Sequence, residues 1–234
     1  MNETINFTNE HFKFDMSISD KCYDHKPTSE DYRSMSFHVE NLSTEEFTDR
    51  IKSGYSFCHI FRNNRRLKKN FVYAEAIFID VDENPKQMET FVASCGLKPT
   101  IAYTTISDGK NGQNRFRLIY FFDEKITSEE EYKGLYNALI KEINLEQNKD
   151  NCGSVTAQMM NGNSSGNIRL YRSGLIYHKL YFLQKCQLEI YILSPSIQYI
   201  SNRQFCKNRE EGNSINEDDS QAIKDLKESV KDYL

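Results

Sequence analysis

Apolar residues form short runs of strand length in the middle of the chain. The longest run, FVYAEAIFIDVD at positions 71 to 82, is rich in Val, Ile, Phe and Tyr, which is typical of a β-strand. Runs at 55 to 61, 99 to 106 and 115 to 122 predict three more strands. Polar loops containing Gly, Asn and Asp separate them. This part of the chain is therefore predicted to form a sheet.

Two helices are predicted from capping patterns and helical spacing. Ser43, followed by Glu46 three residues later, has the pattern of a capping box at a helix N-terminus. Pro85 opens a second helix, whose apolar residues fall on one stripe, and Gly96 closes it.

A third helix is predicted over residues 127 to 143, with Thr127 as its cap and Glu130 at the capping-box position. From residue 71 onward the order of elements is thus β-α-β-β-α-β. This is the split βαβ arrangement of ferredoxin-like and RRM-like folds. Further strands are predicted at 167 to 172, 175 to 183 and 187 to 193.

The predicted fold class is α+β, with an RRM-like core and additional N-terminal and C-terminal elements. We expect residues 1–54 to form an N-terminal extension within the same domain. Residues 55–195 are expected to form the core, and residues 196–234 a polar linker with a C-terminal amphipathic helix.

The composition narrows the class of protein. Of the 234 residues, 38% are hydrophobic and 27% charged, which indicates a polar, soluble globular protein. No apolar run approaches the roughly 20 residues that span a bilayer, and the N-terminus lacks a signal-peptide pattern, so we expect a cytoplasmic protein without a membrane partner. The six cysteines are scattered singly, which excludes a zinc site at the usual spacing.

The net charge of -4 provides no general attraction to nucleic acid. A local basic run is the exception, and it is a candidate contact for a nucleic-acid backbone. Its alternative is a solvated connector. The run consists of Arg62, Arg65, Arg66, Lys68 and Lys69.

Two acids end the longest predicted strand. Asp80 and Asp82 are two residues apart, so a strand places them on one side, where their charges repel each other. A shared divalent cation, Mg²⁺ or Mn²⁺, would remove that repulsion, and such ions are held by one or two carboxylates plus substrate phosphates. The alternative is a solvated turn at the end of the strand.

The next predicted hairpin carries groups that suit phosphate. Its loop holds Ser107 and Lys110, and Arg115 and Arg117 project from one face of the strand that follows. Guanidinium groups bind phosphate oxygens in pairs. A cleft with a metal ion and its acids on one side and arginines on the other would bind a triphosphate. The alternative is that the two arginines belong to an ordinary exposed strand face.

Three segments resemble the catalytic core of the archaeo-eukaryotic primase superfamily, the primase-polymerases, especially the divergent forms of phages, plasmids and other mobile elements. The segments are IFIDVDE, TTISDGKNGQNRFRLIY and KDNCGSVTAQMMNGN. The resemblance spans roughly residues 55 to 195, and its most specific element is the strand end with two acids.

The resemblance implies two-metal nucleotidyl transfer. Asp80, Asp82 and Asp150 would be the catalytic acids and hold the Mg²⁺ or Mn²⁺ ions. The hairpin would bind an NTP or dNTP, and the basic run would meet a single-stranded DNA template. The resemblance also implies a replicative helicase as an expected partner.

Two departures from the superfamily pattern bear on catalysis. Arg117 or Arg115 stands where the second motif carries a histidine, and Gln158 stands where relatives often carry an arginine. An RRM-like nucleic-acid-binding module without catalysis, acting in replication initiation or as an accessory factor, is therefore the alternative. A rolling-circle nickase is disfavoured because the sequence has no His-x-His pair.

Overall fold

The computed structural model describes residues 12–145 and 151–179 together with Phe182. All of them lie within one structural unit, Met1–Cys186. The strands are β1 (Lys13–Cys22), β2 (Phe37–Ser43), β3 (Tyr55–Cys58), β4 (Ile60–Phe61), β5 (Phe71–Asn84), β6 (Ile101–Thr104), β7 (Asn114–Ile126), β8 (Met159–Asn161), β9 (Leu170–Arg172) and β10 (Ile176–Tyr177). The described helices are α1 (Ser29–Ser34), α2 (Thr44–Lys52), α3 (Met88–Ser94) and α4 (Glu129–Glu142).

The strands form two sheets, and the fold is α+β. The first sheet has the order β4-β5-β7-β6-β9, with β10 running parallel to the end of β7. Strand β7 lies between β5 and β6 and is antiparallel to both, which is the predicted split βαβ unit. The second sheet has the order β2-β1-β3-β8.

One connection differs from the RRM-like arrangement. The first described strand after α4 is β8, and it joins the second sheet instead of returning beside β5. The edge beside β5 is taken by β4, which precedes it in the chain. Apolar periodicity marks a strand but does not say which edge it joins, so the sequence could not predict this exchange.

The first sheet is covered on both faces. Alternate residues of β5, including Ile77, Ile79 and Val81, pack with α3 and α4 in one core. The residues between them, such as Phe78, pack against α2 and the second sheet in another core. Burial on both faces explains why β5 reads as an almost continuous apolar run. Asp80 is the next residue after Phe78 on the side that faces the second sheet.

The helix caps are close to the predicted ones. The Ser43–Glu46 capping box is present at the start of α2, so that prediction is confirmed. Helix α4 is capped by Ser128 rather than Thr127, and Glu131 rather than Glu130 accepts a backbone N–H. Adjacent hydroxyl residues followed by three glutamates leave the register of such a cap open by one residue.

Other boundaries also differ. Helix α3 begins at Met88, three residues after Pro85, because β5 continues to Asn84. The strand predicted at 55 to 61 is interrupted at His59, which is buried, stacks on Phe78 and contacts the Tyr132 hydroxyl. The strand predicted at 187–193, the linker and the C-terminal helix lie outside the described residues. No helix in the described part of the chain is long and apolar enough to cross a membrane.

Candidate functional site

Three polar side chains form a row across the first sheet, on the face that meets the second sheet. Asp80 of β5 lies opposite Arg117 of β7, and Arg117 lies opposite Tyr103 of β6. On the same face, the neighbouring positions Phe78, Ile119 and Ile101 are apolar and buried in the core between the sheets. The row therefore marks the place where the core between the sheets ends and a cleft begins.

Arg117 is bound on both sides. Its Nε lies 3.2 Å from Asp80 Oδ1, and its Nη2 lies 3.5 Å from Asp80 Oδ2. Its Nη1 donates to the Asn161 carbonyl of β8 at 2.5 Å and to the Tyr103 hydroxyl at 3.4 Å. The Tyr103 hydroxyl donates to the same carbonyl at 2.8 Å. Arg117 thus links the acid of one sheet to the backbone of the other.

Burial and charge keep this row in one protonation state. Burial by itself lowers the pKa of Arg117, but the charge of Asp80 and the interactions with Asp80 and Tyr103 together outweigh it, and the net shift is upward. Burial raises the pKa of Tyr103 to about 12, although the charge of Arg117 acts in the opposite direction. At neutral pH the guanidinium is charged and the phenol is neutral.

The second acid and arginine are more loosely arranged. Arg115 Nε lies 3.8 Å from Asp82 Oδ1, and its Nη2 lies 3.6 Å from Glu83 Oε1. Nη2 also donates to Gln113 Oε1 at 2.6 Å, while Nε is buried without a hydrogen-bond acceptor among the described residues. The Asp82 side chain is 52% exposed, against 18% for Asp80. This pair has donor capacity and space for a ligand.

A bulge in β5 produces that difference. The register with β7 shifts between Val81 and Asn84, and Glu83 has a φ of 57°. An extra residue in one strand bends it and turns its side chains outward. Asp82 and Glu83 therefore reach solvent, whereas Asp80, ahead of the bulge, stays beside Arg117.

The hairpin loop between β6 and β7 forms one side of the cleft. Asp108 holds it in place, since its carboxylate accepts the Arg115 backbone N–H at 2.8 Å and Arg169 Nη2 at 2.8 Å. Ser107 lines the cleft, but Lys110 lies in a short 3₁₀ turn at the loop tip and does not. The cleft is lined by Lys26, Asp80, Asp82, Thr105, Ile106, Ser107, Arg115, Arg117, Asn161 and Gly162.

The structure thus brings five of the predicted residues together, namely Asp80, Asp82, Ser107, Arg115 and Arg117. Asp150 lies outside the described residues.

No residue of the basic run lines this cleft. The run precedes Phe71, the first residue of β5, and Asp80 lies about 30 Å further along the strand at about 3.3 Å per residue. Part of its charge is used within the fold, because Lys68 pairs with Glu129 at 2.7 Å and Arg66 donates to the Ala157 carbonyl at 2.7 Å.

Sequence reasoning missed Lys26, Tyr103 and Asn161. Tyr103 lies in an apolar strand, so the sequence did not indicate a polar role for its hydroxyl. Its position in β6 places it opposite Arg117. Lys26 lies in the N-terminal forty residues, for which no clear period exists. Asn161 acts mainly through its backbone carbonyl, which side-chain patterns do not reveal.

Carboxylate oxygens suit the hard cations Mg²⁺ and Mn²⁺. Asp80 accepts from Arg117 at 3.2 and 3.5 Å and retains further lone pairs, and Asp82 is exposed to the cleft. In the described part of the chain, no group of three or more His, Cys, Asp or Glu residues is arranged to hold a metal. Asp80 and Asp82 could therefore supply two of the ligands of such an ion, and its remaining ligands would have to come from other groups.

Comparisons with known proteins concern the fold. No protein-family model and no curated protein matches the chain. The AEP domain of the primase-polymerase (PrimPol) of cyanophage S-2L is similar with a TM-score of 0.45 and 15% identity, over 72% of this chain and 87% of that one. The primase RepB′ is similar with a TM-score of 0.39 and 11% identity, over 85% of this chain and 64% of that one. At these identities and TM-scores, both similarities concern the fold alone.

Proposed function

We propose that this chain is a nucleotidyltransferase domain that extends a nucleic-acid strand on a single-stranded DNA template, as in primer synthesis or DNA polymerisation during replication of a phage or mobile element. The observation that carries the proposal is the cleft at the end of β5. There, two acids, two arginines and a serine from separate strands and loops line one space. This combination suits a triphosphate and a divalent cation.

The residues would divide the work of binding. Arg115 lines the cleft and lies 3.6 to 3.8 Å from its carboxylates, whereas Arg117 is bound by Asp80 and the Asn161 carbonyl. Arg115 is therefore the arginine proposed to bind phosphate oxygens. The Ser107 hydroxyl would donate a hydrogen bond to the same group. Charge on the phosphates would be stabilised by these donors as it develops, which is the electrostatic part of such catalysis.

Asp80 and Asp82 would hold Mg²⁺ or Mn²⁺. When bound, the ion lowers the pKa of the attacking hydroxyl and stabilises charge on the phosphates. Asp150 is proposed as the third acid of a two-ion site. Arg117 holds the Asp80 carboxylate in one orientation toward the cleft. Lys110 and the basic run are proposed contacts of the triphosphate and of the template backbone, respectively.

The test is a primer-synthesis assay with single-stranded DNA, labelled NTPs or dNTPs, and Mg²⁺ or Mn²⁺. Asp82→Asn is the informative variant, because Asp82 is 52% exposed and its loss should leave the fold intact. Glu83→Gln is its matched control, since Glu83 is the neighbouring exposed acid at 64%. We expect labelled products from the wild-type protein and from Glu83→Gln, and at least a hundredfold less from Asp82→Asn, which loses a metal ligand.

A wild-type protein that makes no product under any of these conditions, or an Asp82→Asn variant as active as the wild type, would contradict the proposal. Retained single-stranded DNA binding without synthesis would instead support the second candidate, a binding module without catalysis. The Asp80–Arg117 ion pair favours that candidate, because it neutralises one acid without any metal.

A further inference from the structure

The segment between β1 and β2 contributes one wall residue of the cleft, Lys26, and it is anchored by hydrogen bonds near both ends. The Tyr23 N–H donates to the Gly54 carbonyl at 2.9 Å, and Ser164 Oγ donates to the Tyr23 carbonyl at 3.0 Å. Further along the segment, Asn161 Nδ2 donates to the Tyr32 hydroxyl at 3.1 Å. The segment is therefore attached to the end of β8 and to the chain that follows it. Asn161, the last residue of β8, also binds Arg117 through its carbonyl.

Two acids within this segment, Asp24 and Asp31, have local partners. Asp31 accepts the Thr28 backbone N–H at 2.8 Å and completes the capping box of α1. His25 lies between Asp24 and Asp31, at 2.8 and 3.4 Å. Lys26, next to His25, lines the cleft and is exposed. Among the described residues, Lys26 forms no ion pair with a carboxylate.

The charges that line the cleft leave Lys26 in excess. Arg117 faces Asp80, and Arg115 faces Asp82. The lining residues include three cations, Arg117, Arg115 and Lys26, but only two acids, Asp80 and Asp82. An ammonium group in the same cleft as the Ser107 hydroxyl suits an anion with several oxygens, because lysine binds phosphate as a point charge.

We propose that Lys26 binds the triphosphate of the nucleotide substrate from the N-terminal wall of the cleft. This inference rests on the proposed function, because it assigns a substrate contact in the same site. It gives residues 23–34 a role in substrate binding. A backbone phosphate of a nucleic acid has the same chemistry, but Lys26 shares a small cleft with Ser107 and Arg115 rather than a long groove, which favours the nucleotide.

The test is titration calorimetry with a nucleoside triphosphate and Mg²⁺, using wild type, Lys26→Met, Lys26→Arg and Lys21→Met. Lys21 is the matched control, since it is an exposed lysine five residues earlier, at the end of β1, and does not line the cleft. For Lys26→Met we expect binding weaker by on the order of tenfold, the loss of one charge-assisted contact. Lys26→Arg and Lys21→Met should bind like the wild type.

Two further readouts separate this role from a structural one. Lys26→Met should raise the KM for the nucleotide while kcat stays unchanged, and its affinity for a single-stranded oligonucleotide should equal that of the wild type. Wild-type triphosphate affinity in Lys26→Met, or a loss confined to oligonucleotide binding, would overturn the inference alone. A wild-type protein that binds no triphosphate would overturn the proposed function, and this inference with it.

Discussion

The Arg117–Asp80 ion pair should contribute strongly to stability, and Arg117→Met tests this. The pair is partly buried, with side chains 13% and 18% exposed, and its atoms approach to 3.2 Å. At an effective dielectric constant of about 20, opposite charges at that distance attract by about 5 kcal/mol. Desolvation of both ions offsets much of this attraction. Removal of one partner leaves the other buried and unpaired, so we expect Arg117→Met to lower the free energy of unfolding by about 3 to 5 kcal/mol.

Equilibrium unfolding in urea measures this loss. A double-mutant cycle with Asp80→Asn isolates the pair, because the second substitution removes the charge that the first leaves unpaired. We expect a coupling energy of about 2 to 3 kcal/mol between the two positions.

Arg115→Met is the matched control on the same strand. Its two carboxylate neighbours, Glu83 and Asp82, lie 3.6 and 3.8 Å away on side chains that are 64% and 52% exposed, so its loss should cost about 1 kcal/mol or less. Equal losses for Arg117→Met and Arg115→Met, or a coupling energy near zero, would refute the interpretation that Arg117 joins the two sheets through Asp80.

Three further outcomes are expected. Gly162→Ala should destabilise the fold by about 2 kcal/mol or more in the same urea assay, because a Cβ there would lie 2.4 Å from a backbone carbonyl oxygen. Gly96→Ala is the control: a Cβ there has no neighbour within 4 Å, so the substitution should cost under about 1 kcal/mol. Burial raises the pKa of Asp15, but hydrogen bonds from Tyr73 and Asn41 and the charge of Lys125 together outweigh it, and the net shift is downward. The resulting stability is complete above the ordinary value of 3.8 and is lost as the pH falls through the lowered one, so Asp15→Asn should flatten the acid limb of a plot of stability against pH. Burial raises the pKa of Cys58 to about 12, so its thiol should react with a disulfide reagent only on unfolding, and rapid labelling of the native protein at Cys58 would contradict the packing.

Local patterns were sufficient for most of the elements. The Ser43–Glu46 box predicted α2 because its hydrogen bonds join residues three apart. The apolar run of β5 predicted its strand because both faces of that strand are buried. The placement of β4 beside β5, and of β8 in the second sheet, depends on contacts between distant parts of the chain, and it could not be predicted from either segment alone.

The sequence by itself determined that Asp80 and Asp82 lie on one side of a strand at its end. It also determined that Arg115 and Arg117 lie on one side of another strand. Only the tertiary structure decided which arginine lies beside which acid. The register of β5 against β7 pairs Asp80 with Arg117, the bulge after Val81 turns Asp82 toward solvent, and docking of the second sheet supplies the Asn161 carbonyl and Lys26. Registers and sheet packing are set by the sum of many long-range contacts, whereas strand and helix patterns are set by neighbours in the chain.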